Sequence, residues 1–332
     1  MKWFEIKNYE HKFKPLSIFI GGRGIGKTYS SIAYLIEKGK PFIYLRNTAV
    51  EIDECASTLG NPFTAYNNDH GTNYKMIAEK KHYLIVEAKP DPEDPDKEVY
   101  RTIGYAGALS VFENMRGVDF SEVEYVFMDE FITIKTLTFN QYSAFIKMYE
   151  TVARNRELQG RDPLICILCS NSQDLYNPIL QGFGFVNIIE NMMRIGQVAA
   201  SGQDYYINLC KDQEVSNAKR NTALYRLTAG TKEFNESIEN SFSNNDFSNV
   251  GSRDLKEYRP ICEYDDMFIY LHKSMNNIYI TWRSATCKKF NKNQHIMFMR
   301  CIGANIRTYI ANGECYFSDM LIKNKISEII GL

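Results

Sequence analysis

The sequence has no apolar run long enough to cross a membrane; its mainly apolar runs, such as Leu16–Ile20 and Val123–Met128, have strand length. The first fourteen residues, MKWFEIKNYEHKFK, lack the apolar centre of a secretory leader. A second Cys-x-x-C to complete a zinc site beside Cys166 and Cys169 is also missing, and the run around that pair, ICILC, is apolar throughout. Net charge is scarce too, at −1. These absences predict a soluble protein made in a cytoplasm, with reduced core cysteines at 166 and 169 and no membrane partner. Aromatic residues are plentiful, with 20 Phe, 22 Tyr and 2 Trp in 332 residues, which excludes a disordered chain and supplies a sizeable core. The length suggests two domains.

The small net charge hides an asymmetry. Residues 1–198 carry 22 basic and 25 acidic side chains, whereas residues 199–332 carry 17 and 15. Between Met267 and Gly313 stand seven basic residues and no acid: Lys273, Arg283, Lys288, Lys289, Lys292, Arg300 and Arg307. Such a segment holds a polyanion locally or forms a solvated face.

Strand and helix patterns alternate through the first part. Leu16–Ile20 reads as a strand, Lys27–Ile36 as a helix and Pro41–Leu45 as a second strand. Val50–Leu59 reads as a helix. His82–Glu87 and Val99–Tyr105 read as an inserted hairpin around the loop PDPEDPD, Pro90–Asp96, a solvated turn. Glu124–Met128 and Leu164–Cys169 read as buried strands, with a helix over Gln141–Arg154 between them. This order predicts an α/β fold with a mostly parallel sheet covered on both faces. The expected division is 1–200, a connection over 201–250 that includes the Ser/Asn-rich Ser241–Ser252, and 251–332. The last part reads as strands at Ile261–Tyr264, Met267–His272 and Ile278–Trp282, then helices near His295–Ile310 and Met320–Ile329.

Residues Gly21, Gly22, Arg23, Gly24, Ile25, Gly26, Lys27 and Thr28 spell GGRGIGKT, a full match to G-x-x-x-x-G-K-[ST], between a strand and a helix. Glycines let backbone N–H groups turn in around phosphate oxygens, and the helix N-terminus adds partial positive charge. Lys27 is placed for the β- and γ-phosphates and Thr28 for Mg²⁺. VEYVFMDE brings Asp129 and Glu130 to a strand end, where α/β sheets place their ligands. Asp129 suits the magnesium shell. Glu130 suits the activation of a water, a task that hydrolysis requires and simple binding does not. Asn171, at the next strand tip, is placed to sense the γ-phosphate or the lytic water. Arg154 and Arg156, in TVARNRE after a long helix, either reach a neighbouring subunit's nucleotide or are the ordinary basic residues of a helix C-terminus.

The ordered set GGRGIGKT, VFMDEF, TVARNRE and ICILCSNS, with Asn-Pro shortly after, resembles the DNA-encapsidation ATPases of small short-tailed phages. These are relatives of the large terminases in the additional-strand, catalytic-glutamate branch of P-loop ATPases. The resemblance covers roughly the first 190 residues well and the rest weakly. It implies a ring of five subunits at the portal vertex of an empty capsid, driving double-stranded DNA inward with ATP and Mg²⁺. It also implies a host-cytoplasmic protein bound transiently at that vertex. A structural packaging RNA is a further partner that some relatives require. By the same resemblance Glu130 is the catalytic glutamate and Arg154 an arginine finger given in trans. Arg116, where relatives often carry lysine, is a second basic residue at the interface. The last domain is implied to be RNase H-like, without its nuclease acids: Glu263, Asp265 and Asp266 crowd one hairpin, followed by Glu314 and Asp319. Lys273, Arg283, Lys288, Lys289 and Lys292 then suit contacts to nucleic-acid phosphates. The alternatives are another P-loop translocase, helicase-like, and a nucleotide-gated capsid-docking scaffold with negligible hydrolysis.

Overall fold

The computed structural model describes residues 3–80, 82–133, 137–171, 175–210, 213–228 and 249–331. The chain divides into two compact units, residues 1–243 and 244–332.

The first unit contains, in chain order, β1 (Leu16–Gly21), α1 (Lys27–Lys38), β2 (Phe42–Arg46), α2 (Ala49–Ala56), α3 (Thr64–His70), β3 (Tyr74–Glu79), β4 (His82–Pro90) and β5 (Glu98–Ala108). There follow β6 (Tyr125–Asp129), α4 (Gln141–Ala153), β7 (Ile165–Asn171), α5 (Pro178–Gly182), α6 (Phe185–Arg194), β8 (Ala199–Ser201), β9 (Tyr205–Cys210), α7 (Gln213–Arg220) and α8 (Ala223–Leu227). Nine strands form one sheet in the order β3-β4-β5-β2-β6-β7-β1-β9-β8. The six from β5 to β9 pair in parallel, and antiparallel strands close both ends.

Strand alternation explains the apolar runs. Ile18, Ile20, Val126, Met128 and Leu168 face a core filled by Phe145, Met148 and Val152 of α4 and by Ile179 and Ile189. Phe19, Phe42, Phe127 and Ile167 face the other core, under Ile32 and Leu35 of α1 and Ile52 of α2. A strand buried on both faces reads as continuously apolar, as expected of a parallel sheet with helices above and below.

Two differences from the sequence reading concern the sheet's ends. The β4–β5 hairpin forms, but β5 also pairs in parallel with β2, so the hairpin extends the main sheet instead of leaving it. The expected connection from residue 201 contains β9, which lies beside β1 inside the sheet. Asn208 within YYINLC hides it, because this buried polar side chain is satisfied by the hydroxyl of Tyr206. Of Ser241–Ser252, residues 241–248 lie outside the described residues.

The second unit holds a five-stranded mixed sheet, with β10 (Tyr258–Tyr264), β11 (Met267–His272), β12 (Ile278–Thr281), β13 (Lys288–Phe290) and β14 (Cys315–Phe317) in the order β13-β10-β11-β12-β14. One face packs on a helix that runs from His295–Phe298 through a π-helical turn, Met299–Gly303, into Ala304–Ala311. Beside it lies the final helix, Met320–Ile330, whose Ile322, Ile326 and Ile330 enter the same core. Asp319 caps that helix by accepting from the Ile322 amide at 3.0 Å. Among the described residues, no helix is long and apolar enough to cross a membrane.

Candidate active site

The glycine-rich loop leaves β1 at its last residue. Gly21 stands between β7 and β9, paired with Asn171 and Cys210. A side chain there would begin 2.6 Å from the Cys210 carbonyl oxygen, so only glycine lets the strands pass. Gly26 starts α1 with φ of 100°, in the left-handed region that glycine adopts without steric cost. Between them Gly22, Arg23 and Gly24 form the turn, and Ile25 buries its side chain in the core under α1.

Lys27 is buried and donates to the carbonyls of Gly21 at 3.0 Å and Gly22 at 2.8 Å, and to Asn171 Oδ1 at 3.2 Å. Burial lowers its pKa, against the pull of Cys210, Cys169, Asp129 and Glu130. A buried ammonium held by neutral carbonyls gains from any anion that replaces them.

Asp129 ends β6 and is also buried. Both its carboxylate oxygens accept from the Thr28 hydroxyl at 3.1 Å, and Oδ2 accepts from the Tyr44 hydroxyl at 3.3 Å. Burial raises its pKa, with the Arg46 guanidinium opposing. Glu130 follows in a left-handed conformation, φ 52°, that few non-glycine residues adopt. Its carboxylate is half exposed and accepts from Arg46 Nη2 at 2.6 Å, while Arg46 Nη1 lies 3.5 Å from Asp129. One guanidinium thus bridges both acids.

The Glu130 turn rests on buried amides. Asn47 donates to the Glu130 carbonyl at 3.0 Å. Gln141, the first residue of α4, donates to Asn47 Oδ1 at 2.6 Å and to the Phe131 carbonyl at 2.7 Å. Asn177 donates to Gln141 Oε1 at 2.8 Å and to the Phe131 carbonyl at 3.1 Å, and its Oδ1 caps α5. Ser170, beside Asn171, accepts from the Ile132 amide at 3.2 Å. Strain at Glu130 is therefore held by three chain segments at once.

Sequence reasoning found Gly21–Thr28, Asp129, Glu130 and Asn171, and the fold brings them together at the C-terminal ends of parallel strands. It missed Tyr44, Arg46, Asn47, Gln141 and Asn177. The rule that selects polar residues at parallel-strand tips would have found Arg46 and Asn47, which follow the apolar FIYL.

The two arginines after α4 part company. Arg154, left-handed with φ 44°, is half exposed; it donates to the Val118 carbonyl at 2.8 Å and lies 3.6 Å from Asp119. Arg156 is only 3% exposed and donates to the Val123 carbonyl at 2.5 Å. The Arg156 guanidinium is thus enclosed in its own fold, whereas that of Arg154 stands at the surface. Arg116 is exposed and pairs with Glu113 at 3.1 Å.

In the second unit the linear basic run is partly neutralised by acids that precede it in sequence. Lys289 pairs with Glu263 at 2.8 Å and Lys292 with Asp265 at 3.7 Å. Lys273 donates to the Lys256 carbonyl, and Lys288 lies over the Phe290 ring. Arg283 is exposed. Cys166 and Cys169 are buried free thiols of β7, and among the described residues no group of three or more His, Cys, Asp and Glu side chains could hold a metal.

A family profile described as "Podovirus DNA encapsidation protein (Gp16)" matches residues 4–297. The chain belongs to this encapsidation-protein family. The DNA packaging proteins of Bacillus phages PZA and phi29 are each 28% identical to it over 234 residues, 68% of this chain and 62% of theirs. That of Bacillus phage B103 is 27% identical over 236 residues. The chain's match thus spans 62% of the length of the first two curated relatives. Two solved structures share the fold across nearly the whole chain. One is the bacteriophage Phi-29 viral genome packaging motor assembly, with a TM-score of 0.62, 18% identity, and 99% of this chain and 98% of that one covered. The other is the Phi-28 gp11 DNA packaging motor, with a TM-score of 0.55, 17% identity and the same coverage.

Proposed function

We propose that this protein is an ATPase that drives double-stranded DNA into a capsid, acting as a ring at the portal. The observation that carries the reading is the convergence of Lys27, Thr28, Asp129 and Glu130 at one sheet edge in a chain of the encapsidation family. The loop is then a phosphate loop. Lys27 releases the carbonyls of Gly21 and Gly22 and takes phosphate oxygens instead. The Thr28 hydroxyl and the Asp129 carboxylate, 3.1 Å apart, are hard oxygen donors that suit Mg²⁺. Bound there, Mg²⁺ supplies charge neutralisation beside the phosphates. A site with one carboxylate and one hydroxyl agrees with an ion shared with a nucleotide rather than caged by protein.

Glu130 orients the attacking water and takes its proton, once its carboxylate leaves Arg46. Asn171, bonded to Lys27, reports the γ-phosphate to the tip of β7. Arg154 supplies positive charge to the neighbouring subunit's transferring phosphate, after giving up Val118 and Asp119. Arg116 is a second candidate on that interface. In the last unit the RNase H-like reading is kept without nuclease chemistry. Glu263 and Asp265 are tied to lysines, Asp319 caps a helix and Glu314 accepts from Asn276. Arg283 and Lys288 are then the better placed DNA contacts of the five. Portal, subunit number and packaging RNA are carried by the resemblance alone.

The test is steady-state ATP hydrolysis with and without double-stranded DNA, by wild type and Glu130→Gln. The variant should bind ATP and lose roughly 10²-fold or more of its turnover. A nucleotide-gated scaffold is the second reading, favoured by the Arg46–Glu130 pair, which holds the carboxylate away from catalysis. Wild-type protein that binds ATP but is no faster than the variant, even on assembled capsids, would establish it.

A further inference from the structure

A second lysine reaches the phosphate loop. Lys219, on α7, donates to the carbonyl of Arg23. Its ammonium lies 3.4 Å from the point where a side chain on Gly24 would begin. Lys27 meanwhile donates to the carbonyls of Gly21 and Gly22. Two ammonium groups therefore hold three successive carbonyls of one loop.

Electrostatics make this a poor resting arrangement for Lys219. It is half-buried, and burial lowers its pKa; the charged groups that act on it, Lys27 and Arg23, are both cations and lower it further. Lysine at an ordinary surface site keeps its head in water. Here the head is turned onto a loop whose glycines already admit close approach. A polyphosphate is the ligand class that relieves the repulsion among Arg23, Lys27 and Lys219, because it carries several negative charges within a few ångströms.

We infer that Lys219 is a second phosphate-binding lysine of the nucleotide site, exchanging the Arg23 carbonyl for a phosphate oxygen when ATP binds. The inference rests on the phosphate-loop reading above. It makes α7 the element that answers to nucleotide charge. That helix follows β9, the strand paired to β1, and precedes the chain's passage to the second unit.

The experiment is equilibrium binding of Mg-ATP to the full chain at several ionic strengths, for wild type, Lys219→Gln, Lys219→Arg and Lys27→Ala, with thermal melting of each. Lys219→Gln should weaken ATP about tenfold, the loss of one charge-assisted hydrogen bond, and should flatten the salt dependence. Lys219→Arg should keep most of the affinity. A Lys219→Gln protein that binds ATP like wild type, with the same salt dependence, overturns the inference. So does equal weakening in both Lys219 variants with lowered melting temperatures, which marks a purely structural lysine. Wild type that binds no ATP, or binding indifferent to Lys27→Ala, defeats the phosphate-loop reading itself and is thereby told apart.

Discussion

Arg46 and Glu130 form an ion pair of 2.6 Å at the tips of neighbouring strands, and the same guanidinium reaches Asp129 at 3.5 Å. The pair ties the proposed base to a cation, so Arg46→Ala should free it. We expect the DNA-independent ATPase rate to rise about tenfold, equivalent to roughly 1.5 kcal/mol of a charged hydrogen bond. The substitution also removes the cation that opposes burial at Asp129, so the acid limb of Mg-ATP binding should move to higher pH. Hydrolysis rates and binding across pH 4–8 check both. Unchanged basal turnover would show that the pair does not restrain Glu130.

Asp129 gives a stability prediction whose sign is fixed by burial. Its folded-state pKa is raised, so between the ordinary aspartate value and the raised one the folded protein binds the extra proton. Its contribution to stability therefore falls as pH rises through that window. Asp129→Asn removes the ionisation. The variant should melt at or above the wild-type temperature at pH 7, with the difference shrinking as pH falls through the window, while Mg-ATP hydrolysis is lost. Melting curves at pH 4 and 7 decide it.

Arg154 and Arg156 should separate cleanly. Arg156→Ala deletes a buried charged donor to Val123 and should cost about 2 kcal/mol in chemical denaturation. Arg154→Ala loses a solvent-exposed pair with Asp119 and should leave stability close to wild type. It should instead lose assembled activity. Mixed with Lys27→Ala protein it should regain part of that activity, because one intact composite site forms. Absence of rescue at every mixing ratio removes the shared-site role.

Gln141→Leu orphans Asn47 Oδ1 and takes one partner each from Asn177 Nδ2 and the Phe131 carbonyl, which keep their bond to each other. Leaving buried polar groups unsatisfied should cost about 3 kcal/mol or more. If these amides position Glu130, ATP affinity should stay near wild type while kcat falls. An equal fall in both would mean general damage to the site.

Legibility in the sequence followed the length of chain over which a signal is written. The loop Gly21–Thr28 is contiguous, so its motif is readable in full, although Gly21 also answers to Cys210 on β9, which only the fold brings beside it. Asp129, Glu130 and Asn171 were readable because an apolar strand announces its own tip. Arg46 sits at such a tip as well, but its meaning depends on β2 lying beside β6, a pairing across 80 or so residues. Gln141 looks like any polar residue at a helix start, and Lys219 belongs to an unremarked helix; only the fold brings each to the loop or its supports. Arg154 and Arg156 read alike because they are two residues apart, and only burial tells them apart. The basic run from Met267 is incomplete when read in line for a related reason, since Glu263 and Asp265, which lie just before it, pair with Lys289 and Lys292 of it.

Asn47, Gln141 and Asn177 form one chain of buried amides. Gln141 is the link, donating to Asn47 and accepting from Asn177, and the three come from a strand end, a helix start and a helix cap. A change at Gln141 takes a partner from each of the other two, whereas an apolar replacement of all three removes the polar groups but also the tether on Glu130. A chain without these amides would need another way to hold a left-handed glutamate beside the glycine-rich loop.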